Sequence, residues 1–312
     1  MIQSASPKHA YDELLDRCRS LDPVVTAVVF PCEATALEGA VEAAHARLIK
    51  PILIGPSAKI RRVAAEAGVD IAGFEIDDAP DPSAAASKAV EAARAGRVEV
   101  LMKGSLHTDE LMAAVVPSAA GLRTGRRISH AFVLALPIYR KPLIVTDATV
   151  NIAPSLDEKR DICQNAIDLA HALGNPRPKV AILSAVEDVT TRIPSTCDAA
   201  ALCKMADRGQ ITGAILDGPL ALDNAISPEA AKIKGIVSSV GGDADILLVP
   251  NIEAGNILAK DLIFLSNAEA AGVVLGTKVP IVLTSRADSV RARMASCAIA
   301  VLLAHANRKQ DN

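Results

Sequence analysis

The sequence predicts an α/β fold with mostly parallel sheets, and three observations lead there. Short apolar runs alternate with longer amphipathic or alanine-rich segments along nearly the whole chain. Half of the 312 residues are hydrophobic, yet aromatics reach only 2% and Trp is absent. The core must therefore be built from Ala, Val, Ile and Leu, the usual filling of strands covered by helices. Glycines also stand just after helical segments, where a chain stop is wanted.

Taken in order, Val24–Phe30 reads as a continuous apolar strand. Residues 33–49 read as a helix with Leu37, Val41, Ala44 and Leu48 on its apolar face. Pro51–Ile54 is a second strand, and Ser57–Ala67 a helix stopped by Gly68. Phe74–Ile76 is a short strand, Ser83–Ala95 an alanine-rich helix ended by Gly96, and Val98–Met102 a further strand with Lys103-Gly104 at its carboxyl end. Repeats of this kind signal right-handed βαβ units. Between 129 and 150 the pattern changes. The runs His130–Leu136 and Leu143–Val145 are separated by PIYRKP, too short for a crossover helix, which predicts an antiparallel pair. A domain junction is expected just after it, near Thr146–Ala153. Beyond it come helices over Asp157–Leu173 and Thr196–Arg208, strands over Val180–Leu183, Ile211–Leu216, Ile246–Val249 and Pro280–Leu283, and a closing helix over Val290–Ala304.

A length of 312 residues allows two domains with full cores. The formal net charge of −3 argues against a nucleic-acid partner held by bulk electrostatics. Cys18, Cys32, Cys163, Cys197, Cys203 and Cys297 are scattered without a C-x-x-C pair, which reads as reduced, mostly buried thiols in a cytoplasmic protein. The polar N-terminus shows no secretory signal, and no apolar run approaches the roughly 18 residues of a membrane helix. Neither a dinucleotide fingerprint, a P-loop nor a nucleophile elbow is present, and the histidines and cysteines show no metal-ligand spacing. Cys32, just after the first strand, has no paired base and is expected to pack.

The most informative stretch runs from Gly241 to Val301, where two strand-then-helix units break into small and polar residues at the strand ends. Ligands collect outside the carboxyl ends of strands in open α/β sheets, which brings forward Asn251, Glu253, Asn256, Ser285 and Arg286. A serine and an arginine at a helix start suit an oxyanion such as phosphate. The segments ADILLVPNIEAGNILAK, NAEAAGVVLGTKVPIVLTSRADS and ILDGPLALDNAIS, with VEVLMKGSLHTDEL more loosely, resemble the phosphotransacylases, the phosphate acetyltransferases and phosphate butyryltransferases. The LTSRADS wording is closer to the butyryltransferase-like branch.

The resemblance implies two α/β domains facing a cleft in an isocitrate/isopropylmalate dehydrogenase-like architecture, the second inserted in the first. Mapped here, residues 1–147 and 276–312 form the first domain and 148–275 the inserted one, which carries a homodimer interface. The implied reaction exchanges a short acyl group between coenzyme A and inorganic phosphate in a ternary complex. Coenzyme A enters as substrate, and no metal, other cofactor or covalent enzyme nucleophile is obligatory.

The resemblance also places roles on residues. Ser285 matches the serine that hydrogen-bonds the reacting thiol, with a cap for the helix at Val290 as its structural alternative. Arg286 is expected to hold phosphate and the developing oxyanion through its planar fork, or else to pair with a surface carboxylate. The acetyltransferase branch carries an aspartate seven residues after the serine as thiol base; this chain has Ala292 there, and Asp288 is the nearest substitute, or a plain cap. Asn256 and Lys260 share one helix face by spacing. Asp217 and Asp223 match positions on the inserted domain, either in substrate contact or in turn duty. His107 and Thr108 follow the strand at 98–102, where the family lines its cleft with small and polar residues. The family's arginine a few residues on is replaced by Met112, Ala113 and Ala114, so Arg123, Arg126 and Arg127 are candidates for the anionic groups of coenzyme A, against a solvated loop. The losses at 292 and near 113 motivate a second reading, a non-catalytic acyl-CoA or phosphate-binding relative. A third, a decarboxylating dehydrogenase, is disfavoured by the lack of a nicotinamide-binding fingerprint.

Overall fold

A computed structural model describes residues 7–284 and 288–310. In chain order the elements begin α1 (Pro7–Cys18), β1 (Val24–Val29), α2 (Ala34–His45), β2 (Ile49–Gly55), α3 (Ser57–Ala67), β3 (Glu75–Asp78), α4 (Pro82–Arg94), β4 (Val100–Lys103) and α5 (Thr108–Val115). They continue with β5 (Ser129–Ala135), β6 (Leu143–Thr146), α6 (Leu156–Ala172), β7 (Lys179–Leu183), α7 (Pro194–Asp207), β8 (Ile215–Leu220), α8 (Leu222–Ile226), α9 (Pro228–Ile233), β9 (Ile246–Leu248) and α10 (Ile252–Phe264). The last are β10 (Glu269–Leu275), β11 (Ile281–Val282) and α11 (Val290–Gln310).

The chain forms two compact units, one of Tyr11–Ile128 with Ala271 onward, the other centred on Ser129–Ala270. In the first, the strands run in the order β3-β2-β1-β4-β11-β10, all neighbours parallel except β10 and β11. β1 feeds β2 and then β3 on one side, whereas β4 lies on the other, so the strand order reverses between β1 and β4. One face of this sheet is covered by α4 and α5 over a core of Ala27, Val29, Leu101, Leu111 and Ile281; α2 and α11 pack together against the sheet as well. Local chemistry fits each element. Asp81 caps α4 by accepting the Ala84 N–H (2.8 Å) ahead of Pro82, and Gly68 ends α3 at φ 68°, a left-handed turn that side chains resist.

The second unit has the order β5-β6-β9-β7-β8, with β5 antiparallel to β6 and the others parallel. Ser155 and Glu158 form a reciprocal capping box at the start of α6, and α10 packs its Leu258, Leu262 and Ile263 on Leu134, Val145 and Leu247. The compact units divide at 128/129 and 270/271. The reason is hydrogen bonding: β5 pairs with β6, and β6 pairs with β9, which ties the hairpin to the later strands.

Two strands depart from expectation. The strand expected at Ile211–Leu216 lies at Ile215–Leu220, because parallel pairing with β7 takes in Asp217 and Leu220, with Gly218 and Pro219 at a register shift between them. β10, an Ala- and Gly-rich run outside the expected strands, pairs antiparallel with β11 through Val273 and Val274.

The far end of α11 is tied down in a way that titrates. Arg308 in the last turn donates to both oxygens of Glu99 at 2.5 Å, and these bonds hold the Glu99 carboxyl below the usual glutamate range, against a smaller opposing effect of burial. A folded-state pKa below the unfolded one means stability that is present above about pH 4.5 and lost as pH falls. Glu99→Gln is therefore expected to flatten the fall in melting temperature between about pH 6 and about pH 3.5 seen in the unaltered protein. Calorimetry at both ends of that range checks it, and identical pH slopes would remove the role assigned to the pair.

Candidate functional site

In the first unit the reversal between β1 and β4 creates a crevice edge at the carboxyl ends of both strands. The two ends are stitched together. Gly104 N–H donates to Val29 O (2.9 Å), and Ser105 donates to Phe30 O through both its N–H (3.0 Å) and its hydroxyl (2.7 Å). The Cys32 N–H in turn donates to Ser105 Oγ (3.0 Å). Phe30 itself has φ 55°, a left-handed backbone that costs a non-glycine residue about 1 kcal/mol and turns its carbonyl toward Ser105.

Two cationic side chains are buried around this edge. Lys103, the last residue of β4, is 3% exposed, with Nζ 3.4 Å from Gly104 O. Arg293, in the first turn of α11, is 2% exposed and donates through Nη1 to Thr284 Oγ1 at 2.7 Å. Thr284 follows β11, which pairs with β4, so its hydroxyl stands at the same end of the sheet. Burial pushes the Arg293 guanidinium below its usual range, while Asp288 and Glu33 favour its charged form. The starts of α2, α5 and α11 follow β1, β4 and β11 directly, which adds positive dipole ends to the two cations. An anion of phosphate type suits such an edge. Cys32 has its thiol raised by burial in the first place, so it is poorly placed to ionise.

In the second unit the turn after β6 is built around Asp147. This 2%-exposed carboxylate accepts the N–H groups of Thr149 (2.9 Å), Val150 (3.0 Å) and Asn151 (3.3 Å) and the Asn151 side-chain amide (2.5 Å). His130 on β5 stands 3.2 Å from the Thr149 hydroxyl and edge-on to Phe132. Asn256 on α10 donates through Nδ2 to Ala148 O (3.1 Å).

A family model described as phosphate acetyl/butaryl transferase matches residues 81–301. The chain is also 62% identical over 298 residues to a phosphate acetyltransferase of Rhizobium meliloti, across 96% of this chain and 94% of that relative. The chain belongs to this family of acyltransferases. It is 41% identical to a phosphate butyryltransferase of Clostridium beijerinckii over 96% of this chain and 99% of that one. A solved branched-chain phosphotransacylase from Enterococcus faecalis V583 superposes with a TM-score of 0.79 at 31% identity, covering 90% of this chain and 99% of its own.

Against this family background the expected residues fall as follows. Ser285 and Arg286 lie outside the described residues. α11 begins at Val290, and its cap is Ser289, whose hydroxyl accepts the Ala292 N–H (3.2 Å). Neither Ser285 nor Asp288 is therefore needed to cap this helix, and the Ser-Arg pair precedes its first turn by several residues. Asp288 is half-buried and acts on Arg293. Asn256 gives one amide N–H to Ala148 O while Lys260 is exposed, so the pair does not present equivalent groups. His107 is the exposed N-cap residue of α5, its N–H donating to Glu110 Oε2 (2.7 Å), and Thr108 opens that helix. Arg123 and Arg126 are exposed in the loop after α5, where Arg123 bridges to Thr277. Asp217 is half-buried on β8 beside Gly218, and Asp223 forms an ion pair with Lys234 (3.0 Å). Sequence reading passed over Arg293, Thr284 and Asp147. Only Asp147 carried a usable signal, an aspartate following a strand and preceding small and polar residues.

Proposed function

We propose that the protein is a phosphate acyltransferase that moves a short-chain acyl group reversibly between coenzyme A and inorganic phosphate. The observation that carries this reading is the 62% identity to a phosphate acetyltransferase over 96% of the chain. In the direction of acyl-CoA synthesis the thiolate attacks the carbonyl carbon of an acyl phosphate. A C–S bond forms, the C–O bond to phosphorus breaks, and phosphate departs with the electron pair. Arg286 neutralises the phosphate, Ser285 hydrogen-bonds the thiol, and Asp288 takes its proton in place of the base missing at Ala292. The buried charges of Lys103 and Arg293 at the strand ends favour a dianionic substrate. Asn256, Lys260, His107, Thr108, Arg123, Arg126 and Asp217 are assigned to substrate contact, the arginines toward the anionic groups of coenzyme A.

Acetyl is the first acyl group to try, given the 62% relative, with butyryl second, given the LTSRADS wording and the 41% relative. The test is release of free thiol from acetyl-CoA and butyryl-CoA in the presence and absence of phosphate. Saturable coenzyme binding without phosphate-dependent release would favour the non-catalytic reading instead.

A homodimer in the cytoplasm completes the reading. Ile257, Phe264 and Leu265 expose large apolar surface on α10, and Ile138 and Ile152 do so elsewhere in the same unit. Among the described residues no helix is long and apolar enough to cross a membrane, and none of the six cysteines is disulfide-bonded. Light scattering is expected to give twice the 32.4 kDa chain mass, reduced to one chain by Phe264→Asp. A monomer in the unaltered protein would rule the dimer out.

A further inference from the structure

Phe30 is held in a backbone conformation that works against its side chain. Its φ of 55° lies in the left-handed region, which glycine and asparagine enter readily and a bulky residue enters only under constraint. Residues held this way cluster at functional sites, where the surroundings over-determine them. The constraint here is backbone bonding. Phe30 N–H donates to Ile54 O (2.7 Å), and its carbonyl accepts the N–H groups of Cys32 (2.9 Å) and Ser105 (3.0 Å) and the Ser105 hydroxyl (2.7 Å). None of these bonds requires a phenyl ring, and the residue is only half-buried. An asparagine or glycine would make the same bonds with less strain.

The ring is also fixed where it stands. Gly55, at the end of β2, lies flush against it: a Cβ there would stand 3.4 Å from Phe30 Cα and 3.5 Å from Cδ2. Its inner side packs on the cluster that includes Val29, Ile54 and Leu101. Above its face the exposed Lys59, in the first turn of α3, holds Nζ 5.4 Å from the ring centroid. What remains is a rigid apolar wall at the carboxyl end of β1, on the edge that Lys103 and Ser105 share. β1 and β4 are paired neighbours, about 4.8 Å apart, so an acyl group joined to a phosphate at this edge comes within a few carbon atoms of the ring. Tyr11 and Phe74 are the other aromatics of this unit, and neither follows a strand. We propose that Phe30 sets acyl chain length, standing where carbons beyond the second would go, so that the protein favours acetyl over butyryl. This rests on the proposed phosphate acyltransferase reading and adds to it a specificity-determining side chain.

The test is kcat/KM for acetyl-CoA and butyryl-CoA at saturating phosphate, in the unaltered protein and three variants. The unaltered protein is expected to favour acetyl by about tenfold or more, the range that one or two misplaced methylenes produce. Phe30→Ala removes the wall and is expected to lower that preference about tenfold, chiefly by raising the butyryl value. Phe30→Leu keeps apolar packing with a smaller group and is expected to fall between the two. Phe30→Asn suits the left-handed backbone, which offsets part of the lost packing, and is expected to relax the preference as alanine does. Should the alanine variant not fold, the leucine and asparagine variants carry the decision. KM for phosphate is expected to stay within about twofold throughout. A purely structural role would instead lower melting temperature and scale both acyl substrates together, leaving their ratio as it was. Phosphate-dependent turnover with an unchanged ratio in the Phe30 variants, or with butyryl preferred by the unaltered protein, would overturn this inference alone. No phosphate-dependent turnover with either substrate would overturn the functional reading and this inference with it.

Discussion

Arg286→Ala is expected to lower kcat/KM for phosphate-dependent thiol release by about a hundredfold to a thousandfold. The magnitude follows from what the side chain is assigned to do. Inorganic phosphate and the phosphate end of an acyl phosphate carry concentrated negative charge, and a guanidinium fork meets two of the oxygens at once. Removing one preorganised donor to an oxyanion typically costs about 3 kcal/mol of transition-state stabilisation. The loss is expected to stop short of complete, because Lys103 and Arg293 remain as buried cations at the same strand ends. Arg286→Lys keeps the charge and loses the fork, so it is expected to fall between the alanine variant and the unaltered protein. The measurement is the initial rate of thiol release against phosphate concentration, with melting temperature followed in parallel. An alanine variant within about threefold of the unaltered rate would move the phosphate site elsewhere, with Lys103 the next residue to substitute.

Much of the fold was legible because its signals are local. Gly68 and Gly96 take left-handed φ values of 68° and 73° right where the helical patterns end. The PIYRKP connection is too short for anything but a hairpin, and β5 and β6 are antiparallel. The misses share one cause: they depend on partners remote in sequence. Ile211–Leu216 is the more strand-like run by composition, yet the ladder with β7 selects Ile215–Leu220 and carries Gly218 and Pro219 into a strand. β10 is weak in β-formers, and its pairing with β11 at Val273 and Val274 is a contact no local signal announces.

The site divides the same way. The Ser-Arg segment announces itself by residue type, whereas Arg293 reads in sequence as one more basic residue on a helix. Its significance appears only when Gly39 and Thr284 are brought beside it, one from α2 and the other from the end of β11. Asn256 shows the reverse case. Spacing paired it with Lys260, but one of its amide N–H groups bonds Ala148 O, a backbone partner that no spacing rule names.

Gly104→Ala is expected to damage the first unit severely, costing about 3 kcal/mol or more of stability. The obstacle is backbone. A Cβ on residue 104 would stand 2.4 Å from Val29 O, 2.6 Å from Phe30 O and 2.7 Å from Phe30 C, and none of these atoms can swing aside as a side chain does. Relief requires β1 and β4 to part at their carboxyl ends. That breaks the Gly104 N–H bond to Val29 O and pulls Ser105 away from Phe30 and Cys32. For a unit of this size the expected fall in melting temperature is about 10 °C. Gly73→Ala is the matched control, since a Cβ there meets nothing within 4 Å, and its effect is expected within about 0.5 kcal/mol. Activity should fall with stability only in the Gly104 variant, because the strands that separate are the ones carrying Lys103 and lying beside Thr284. Urea unfolding and the thiol-release rate at a temperature where the variant is still folded read the two effects separately. A Gly104→Ala protein as stable and as active as its Gly73 counterpart would show that the stitched strand ends are not what holds this edge of the sheet in place.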